Sequence, residues 1–535
     1  MKVFSVAEMV AAERAADQQG VSYAQMMETA GRGVAEAIMA RYPVANKSVL
    51  VLVGPGNNGG DGLVAGRYLA EAGADVAFYL TKMRNPETDV NFASIQQMGL
   101  FALDASFDQR FRVLRTRLRV TDIVIDALLG TGVSRPIGGA LAKMMRQLQQ
   151  GVSETRRYRR REQTASLTSL EQLPAATAET SLPVIAVDCP SGLNCNTGAL
   201  DPLAIAADVT VSFAGPKRGH FCFPGAAACG ELVVADIGIP QNVTKGMQVG
   251  VATAVSMQKL FPKRPLDGHK GTFGRVLIAG GSSRYWGAPL LSAKGAFRVG
   301  AGLVALAVPQ AIRATLATHL PEATFPPLTT EHSLDKKAAV TLLHTIDQQS
   351  ALLIGPGLDD AGAFLNTMLA QPDQLPPLVI DADGLNLLAK KENWAGLLPP
   401  NTILTPHLGE MARLINVPLE EVKALDRLTL AREKAQAWGH VVLLKGAYTI
   451  VAAPTGKATI LPFANPVLAV GGSGDVLAGA IASLLAQGMA PYEAAVLGGY
   501  VHGATSVVAN GRSGLLAGEI ANLIPTVIQQ LITPY

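Results

Sequence analysis

Short, nearly uninterrupted apolar runs alternate along the chain with stretches whose apolar residues recur at helical spacing. In the first half the runs are Ser48–Val53, Asp75–Leu80, Asp122–Leu129, Val184–Val187, Val209–Phe213 and Leu232–Ile237. In the second they are Val276–Ala279, Val304–Val308, Leu352–Ile354, Leu378–Ile380, Thr402–Leu404 and Val441–Leu444. Runs that are apolar throughout predict strands covered on both faces, and the helices between them predict parallel α/β sheets. Two such sets predict two domains, over 1–240 and 241–535. The join is expected within 240–270, near the Pro-, Gly- and charge-rich FPKRPLDGHKGTFG. Val476–Pro491 is rich in Ala and Gly and reads as a buried helix, not a membrane span. Residues 151–181 are polar, with five arginines close together and little to bury, and predict a flexible surface insertion.

Composition narrows the class. With 49% hydrophobic and 16% charged residues among 535, the chain can bury large cores. A net charge of +3 gives no electrostatic reason to expect a nucleic-acid partner. Cys189, Cys195, Cys222 and Cys229 have neither zinc spacing nor the density of a secreted disulfide framework, so buried, reduced thiols are expected. The opening MKVFSVAEMVAAERAAD lacks the sustained apolar core of a signal peptide, and a cytoplasmic location is expected.

Candidate chemistry in the first half begins at GPGNNGGDG, Gly54–Gly62, in which Gly54, Gly56 and Gly59 match the dinucleotide pattern G-x-G-x-x-G. Two features argue against an ordinary NAD loop. Asp61 reads as a cap or first-turn acid of the following helix, where it would repel a pyrophosphate. The run Asp75–Leu80 is followed by Thr81, Lys82, Met83 and Arg84, with no acid to hold a ribose diol. Asn57, Asn58 and Asp61 instead suit a sugar, an amide or an ion held by oxygen ligands. DALLGTGVSRP (Asp126–Pro136), VDCPSGLN (Val187–Asn194) and FAGPKRG (Phe213–Gly219) each follow a predicted strand. Carboxyl ends of parallel strands line the ligand crevice, so Asp126, Asp188 and Lys217 are expected to meet Asn58 and Asp61 in one pocket. Each aspartate taken alone would serve equally well as a turn cap.

Together, GPGNNGGDG, DALLGTG, DCPSGL and the F-x-x-P-K-x-G of Phe213–Gly219 resemble the YjeF N-terminal, NAD(P)H-hydrate epimerase family over about residues 1–240. The resemblance implies a Rossmann-like α/β/α fold and interconversion of the R and S forms of hydrated NADH and NADPH. It also implies substrate contacts from Asn57, Asn58, Gly59, Gly60, Asp61, Gly130, Thr131, Gly132, Val133, Ser134, Arg135, Pro136 and Asp188. Asn58, Asp126 and Ser191 would hold K+. Asp188 would act as acid/base, with Lys217 nearby. Hard oxygen donors suit such an ion, and nothing here resembles a zinc or iron site. The insertion over 151–181 departs from the compact family pattern.

In the second half, VGGSGDVLAGAIASLLAQG places Gly471, Gly472 and Gly474 before Asp475 at the start of a long helix. Backbone N–H groups at such a start make an anion hole. The neighbouring N–H groups are expected to keep Asp475 ionised, able to deprotonate a hydroxyl during phosphoryl transfer without a Walker lysine; as a bland alternative, Asp475 caps the helix. IGPGLDD, DADGLN, LTPHLGE and LKGAYT each follow a predicted strand. His407, between Pro406 and Gly409, reads as a substrate contact in preference to a core histidine, and Lys445 either steadies a nucleotide phosphate or faces solvent. These motifs resemble the ribokinase-like YjeF C-terminal family, the NAD(P)H-hydrate dehydratases, over about 250–535. By that resemblance Ala288, Gly357, His407 and Asp475 contact the hydrate. Lys445, Gly446, Ala447, Tyr448, Thr449 and Gly474 bind the adenine nucleotide, and Asp381, Asn386 and Glu410 share the cleft near Mg2+ brought with ADP. The expected partners are NADHX, NADPHX and ADP, with no nucleic acid and no membrane, in a homo-oligomer. A sugar or vitamin kinase fused to a nucleotide-binding regulatory module is the alternative; a non-catalytic scaffold fits two full sets of strand-end polar motifs poorly.

Overall fold

The computed structural model describes residues 1–133, 135–163, 182–511 and 513–532. It divides into two compact units, Lys2–Met247 and Gln248–Tyr535, with Met1 grouped with the second.

The first unit is built on seven parallel strands: β1 (Ser48–Val53), β2 (Asp75–Leu80), β3 (Phe101–Asp104), β4 (Ile123–Ala127), β5 (Val184–Val187), β6 (Val209–Phe213) and β7 (Glu231–Ala235). Their order is β3-β2-β1-β4-β5-β6-β7. The order reverses between β1 and β4, where a doubly wound sheet opens its ligand crevice. The register pairs Leu52 with Asp126 and Val53 with Ala127, so the loops after these two strands start side by side. Separate apolar cores on the two faces explain why the central strands are apolar at most positions.

The second unit carries β8 (Val249–Val251), β9 (Arg275–Ala279), β10 (Leu303–Ala307), β11 (Ala351–Ile354), β12 (Leu378–Ile380), β13 (Ile403–Leu404), β14 (Val441–Leu444), β15 (Ile450–Ala452) and β16 (Ala458–Ile460). Their order is β10-β9-β11-β12-β13-β14-β15-β16-β8. Pairing is parallel from β10 to β14, and antiparallel from β14 to β15 and from β15 to β16. Both units are α/β, as expected.

The helix Ser473–Ala486 is buried without interruption from Val476 to Ala486, as its composition predicts. It packs on the helix Gly287–Val299 so closely that a Cβ on Gly479 would collide with the Ser292 carbonyl oxygen, and one on Gly295 with that of Val476. This backbone-to-backbone seat fixes where the helix begins, and with it Asp475. No helix among the described residues is long and apolar enough to cross a membrane.

Two local expectations are corrected. The polar stretch from 151 does not start as a flexible insertion: the helix Gly139–Gln163 runs through its first part. Val152 and Thr155 are buried there. Arg156 reaches Asp208 at 2.5 Å and Arg159 donates to the Thr121 carbonyl at 2.7 Å. These arginines anchor the helix through specific acceptors that composition could not reveal; residues 164–181 lie outside the described set. Asp61 is neither a cap nor a first-turn acid. The helix Asn57–Glu71 starts a turn earlier, with Gly56 as its N-cap, and carries Asp61 into a buried position.

Candidate functional sites

In the first unit, glycines set the geometry around Asn58. A Cβ on Gly54 would strike the Leu128 carbonyl oxygen, so the loops after β1 and β4 touch backbone to backbone. Arg84 folds back from the end of β2, donating to the Gly54 and Gly56 carbonyls at 2.8 and 2.6 Å and pairing with Asp89 at 2.6 Å. It clamps the glycine-rich turn from behind, a role sequence reading did not give it. The loops enclose a cleft of about 500 Å³ lined by Asn57, Asn58, Gly130, Thr131, Gly132, Val133, Arg135 and Pro136. Ser134 lies outside the described residues. Gly59 and Gly60 are not among the residues lining this cleft: Gly59 packs on Gly54 and Arg84, and Gly60 on the Met27 side chain.

Asp126 lies at the floor, 1% exposed. Its Oδ1 accepts from Ser191 Oγ at 2.6 Å, and its Oδ2 from Ser191 N–H at 2.9 Å. Asn58 Nδ2 donates to the Leu129 carbonyl at 3.1 Å, and Leu129 N–H donates to Ser191 Oγ at 2.9 Å. Asn58, Asp126 and Ser191 are thus brought together. Burial raises the Asp126 carboxyl against its hydrogen bonds from Ser191.

A second cluster surrounds Lys217, which is fully buried. Its ammonium pairs with Asp188 Oδ1, and also donates to Ser212 Oγ at 3.0 Å and the Phe213 carbonyl at 3.1 Å. Asp188 holds a left-handed backbone conformation, φ 63°, and its Oδ1 also accepts from Phe213 N–H at 3.0 Å. His220 Nδ1 accepts from Lys217 N–H at 3.2 Å, and burial, aided by the lysine charge, drives its pKa down to about 3. Asp61 faces this cluster from the helix Asn57–Glu71 and Glu13 from the helix Val6–Gln18. Both line a second cavity of about 430 Å³ together with Asn57 and Phe213. No motif pointed to Glu13; its only signal was a carboxylate within an amphipathic first helix.

In the second unit, Asp381 follows β12, Glu410 lies in the helix Leu408–Ile415, Lys445 follows β14, and Asp475 sits in the first turn of Ser473–Ala486. Lys445 Nζ donates to Asp381 Oδ1 at 2.7 Å and lies 3.5 Å from Glu410 Oε2. It does not face solvent. Burial works against its charge, but Asp381 and Glu410 outweigh this and raise its pKa. Burial, with Asp381 adding repulsion, pushes both Glu410 and Asp475 up to about 7 against the opposing charge of Lys445. This corrects the expectation of a firmly ionised Asp475: helix-end N–H groups favour the anion by about 0.3–1 kcal/mol, less than burial and a like charge cost here.

His407 is itself a helix cap, its Nδ1 accepting from Gly409 N–H at 2.9 Å and Glu410 N–H at 3.2 Å. Its Nε2 lies 3.4 Å from Glu410 Oε1 at the exposed rim. Burial and the Lys445 charge lower its pKa. Ala288 and Gly357 are neighbours, an ideal Cβ on Gly357 standing 3.1 Å from that of Ala288. Asn386 Oδ1 accepts from Arg413 at 2.9 Å. The loop Lys445–Thr449 joins β14 to β15, closed by Thr449 Oγ1 donating to the Gly446 carbonyl at 2.8 Å. Arg427 grips this loop from outside, donating to the Ala447 carbonyl at 2.5 Å and reaching those of Lys445 and Leu444 at 3.3 and 3.4 Å. Sequence reading missed Arg427, because it stands in an otherwise unremarked helix, Arg427–Trp438. The glycine-rich start of Ser473–Ala486, two protonatable carboxyls and a buried lysine can bind a phosphoryl group and move a proton beside it.

Comparison with known proteins agrees with this division. Residues 276–528 match a family described as NAD(P)H-hydrate dehydratase, and residues 23–219 one described as YjeF-related protein N-terminus. A bifunctional NAD(P)H-hydrate repair enzyme of Moorella thermoacetica is 37% identical, covering 99% of this chain and 97% of the relative. One of Thermofilum pendens is 35% identical, with 99% and 97% covered. A crystal structure of an ADP/ATP-dependent NAD(P)H-hydrate dehydratase from Bacillus subtilis, co-crystallized with ATP/Mg2+, is 29% identical with a TM-score of 0.45, covering 54% of this chain and all of its own.

Proposed function

The chain belongs to the family of bifunctional NAD(P)H-hydrate repair enzymes, and from this premise we propose how its two units divide the repair. Water added at C6 of the dihydronicotinamide ring gives R and S hydrates. The unit Lys2–Met247 interconverts them; the unit Gln248–Tyr535 returns the S form to NAD(P)H while converting ADP to AMP and phosphate. The observation that carries this reading is the placing of Asp475 beside Lys445 at the mouth of a glycine-rich helix start, a proton acceptor next to a phosphoryl cradle. Asp475 takes the proton of the C6 hydroxyl, whose oxygen attacks the terminal phosphorus of ADP. AMP leaves, and the C6–O bond then breaks with the ring-nitrogen lone pair assisting and the C5 proton passing to the departing phosphate. Hydroxide is a poor leaving group and phosphate a good one, which is why a nucleotide is consumed. Ala288, Gly357 and His407 line the hydrate's side of the cleft, and Gly446–Thr449 with Gly474 the nucleotide's.

In the first unit, Asp126 is a buried carboxylate with no cationic partner among the described residues. Its neighbours offer hydroxyl, carboxamide and carbonyl oxygens, and this donor set fits K+. Asn58, Asp126 and Ser191 would hold the ion, which supplies a positive charge at the cleft floor. Mg2+ would enter with the nucleotide, facing Asp381 and Glu410. Asp188, anchored by Lys217, moves a proton at C6.

The test is incubation of mixed hydrate epimers with ADP and, separately, ATP. Loss of both epimers, free phosphate and regained absorbance of the reduced nicotinamide are expected. A stable phosphorylated product would instead make the protein a small-molecule kinase.

A further inference from the structure

Asp61 and Glu13 form an acidic pair that no motif explains. Asp61 is 8% exposed, yet its carboxyl has no hydrogen-bond or ion-pair partner among the described residues; neither has that of Glu13. Both open into the cavity of about 430 Å³, whose remaining wall is largely Met26, Met27, Phe213 and Ile237. A carboxyl buried without a partner, as that of Asp61 is, keeps its proton. Burial first, then Asp188 and Glu13, raise Asp61 well above the usual carboxylate range, against weaker opposition from Lys217 and Arg84. Burial and Asp188 raise Glu13 in the same direction, again opposed by Lys217. Asp188 differs: its Oδ1 is engaged by Lys217, Ser212 and Phe213, while its Oδ2 has no partner among the described residues. One site therefore holds a carboxylic acid and a lysine-anchored carboxylate, two like groups whose surroundings divide the acid and base roles.

We propose that Asp61 is the proton donor on one face of C6 during epimerisation, that Asp188 serves the other face, and that Glu13 is the positioning residue that keeps the proton on Asp61. This rests on the epimerase reading of the first unit. The C6 hydroxyl belongs to a hemiaminal. Asp61 gives its proton to that oxygen, the C6–O bond breaks, water leaves, and the N1 lone pair forms an N1=C6 iminium. Solvent water adds to the opposite face, a new C6–O bond forms, and its proton goes to Asp188 Oδ2. One water is released and one consumed, and transfer of the proton from Asp188 back to Asp61 resets the site. The opposite conversion exchanges the roles.

The experiment uses the full chain and separated R and S hydrates. Asp61→Asn should slow epimerisation on the order of 10²–10⁴-fold while leaving ADP-dependent loss of the S hydrate unchanged. Glu13→Gln should move the alkaline limb of the epimerase pH profile to lower pH, because a like charge near Asp61 is gone, and Glu13→Asp should restore it. In ¹⁸O-water each inversion should place one ¹⁸O at C6. If the unaltered protein does not interconvert the epimers, the epimerase reading itself fails. If it does, and Asp61→Asn stays within about threefold, or inversion retains the original oxygen, the proposal fails alone. An unmoved profile in Glu13→Gln removes the positioning role, and that half-exposed variant tests the idea even where Asp61→Asn does not fold.

Discussion

Replacing Asp475 with Asn keeps the side chain's shape and removes its basicity. Loss of a general base costs on the order of 10²–10⁴ in turnover. Nucleotide affinity should change little, since the loop Lys445–Thr449 and the helix-start N–H groups remain. In the unaltered protein Asp475 titrates at about 7, so dehydratase kcat/KM should fall about tenfold per pH unit below 7 and level off above it. Asp381 is the nearby charge that contributes most to this shift after burial. Asp381→Asn should therefore carry the acid limb to lower pH. The same shift has a cost in stability. The carboxyl titrates near 4 in the unfolded chain and at about 7 in the folded one. Folding thus retains a proton in that window, and this group's contribution turns unfavourable as pH rises from about 4 to about 7. The full offset is about 4 kcal/mol, which solvent at the partly open cleft reduces to roughly 1–2 kcal/mol. Asp475→Asn should accordingly be slower by that factor but more heat-stable than the parent at pH 8, with no gain at pH 4. Stopped assays of NAD(P)H regained and thermal denaturation at the two pH values measure both effects. Near-normal turnover, or an acid limb that stays in place in Asp381→Asn, would refute the assignment and leave Asp475 a structural residue.

Other consequences follow from the same geometry. Removing K+ should depress epimerisation reversibly, and Asp126→Asn should abolish the response to added KCl while sparing the dehydratase. Lys217→Met strands the Asp188 carboxylate in the interior; loss of one partner of a buried pair costs about 3–5 kcal/mol, so the first unit should unfold at lower denaturant and lose epimerase activity. Arg427→Lys removes the fork that holds two loop carbonyls and that of Leu444 at the end of β14, and the KM for ADP should rise about tenfold, the equivalent of about 1.4 kcal/mol, with kcat less affected.

Much of this protein was legible before any coordinate, and the reason is local. Strands buried on both faces must be largely apolar, so β1, β2, β5, β6, β12 and β14 stand where their runs predict. The missed strands lie outside the alternating parallel pattern: β3 and β8 are sheet edges, and β15 and β16 pair antiparallel after β14. Glycine-rich segments at strand ends located both candidate sites, because parallel topology gathers strand carboxyl ends whatever lies between them. What the sequence could not carry was how much each polar group is buried and by what charges it is surrounded. Local rules made Asp61 a helix cap, but the helix begins earlier and delivers it to Asp188 and Glu13. They made Asp475 an anion, but packing of its helix through Gly479 seats it beside Asp381. Lys445 had two readings, and only the convergence of Asp381 and Glu410 turns it inward. Protonation is decided by burial and long-range charge, which come from residues tens to more than a hundred positions apart in the chain; these quantities exist only once tertiary structure has brought those residues together.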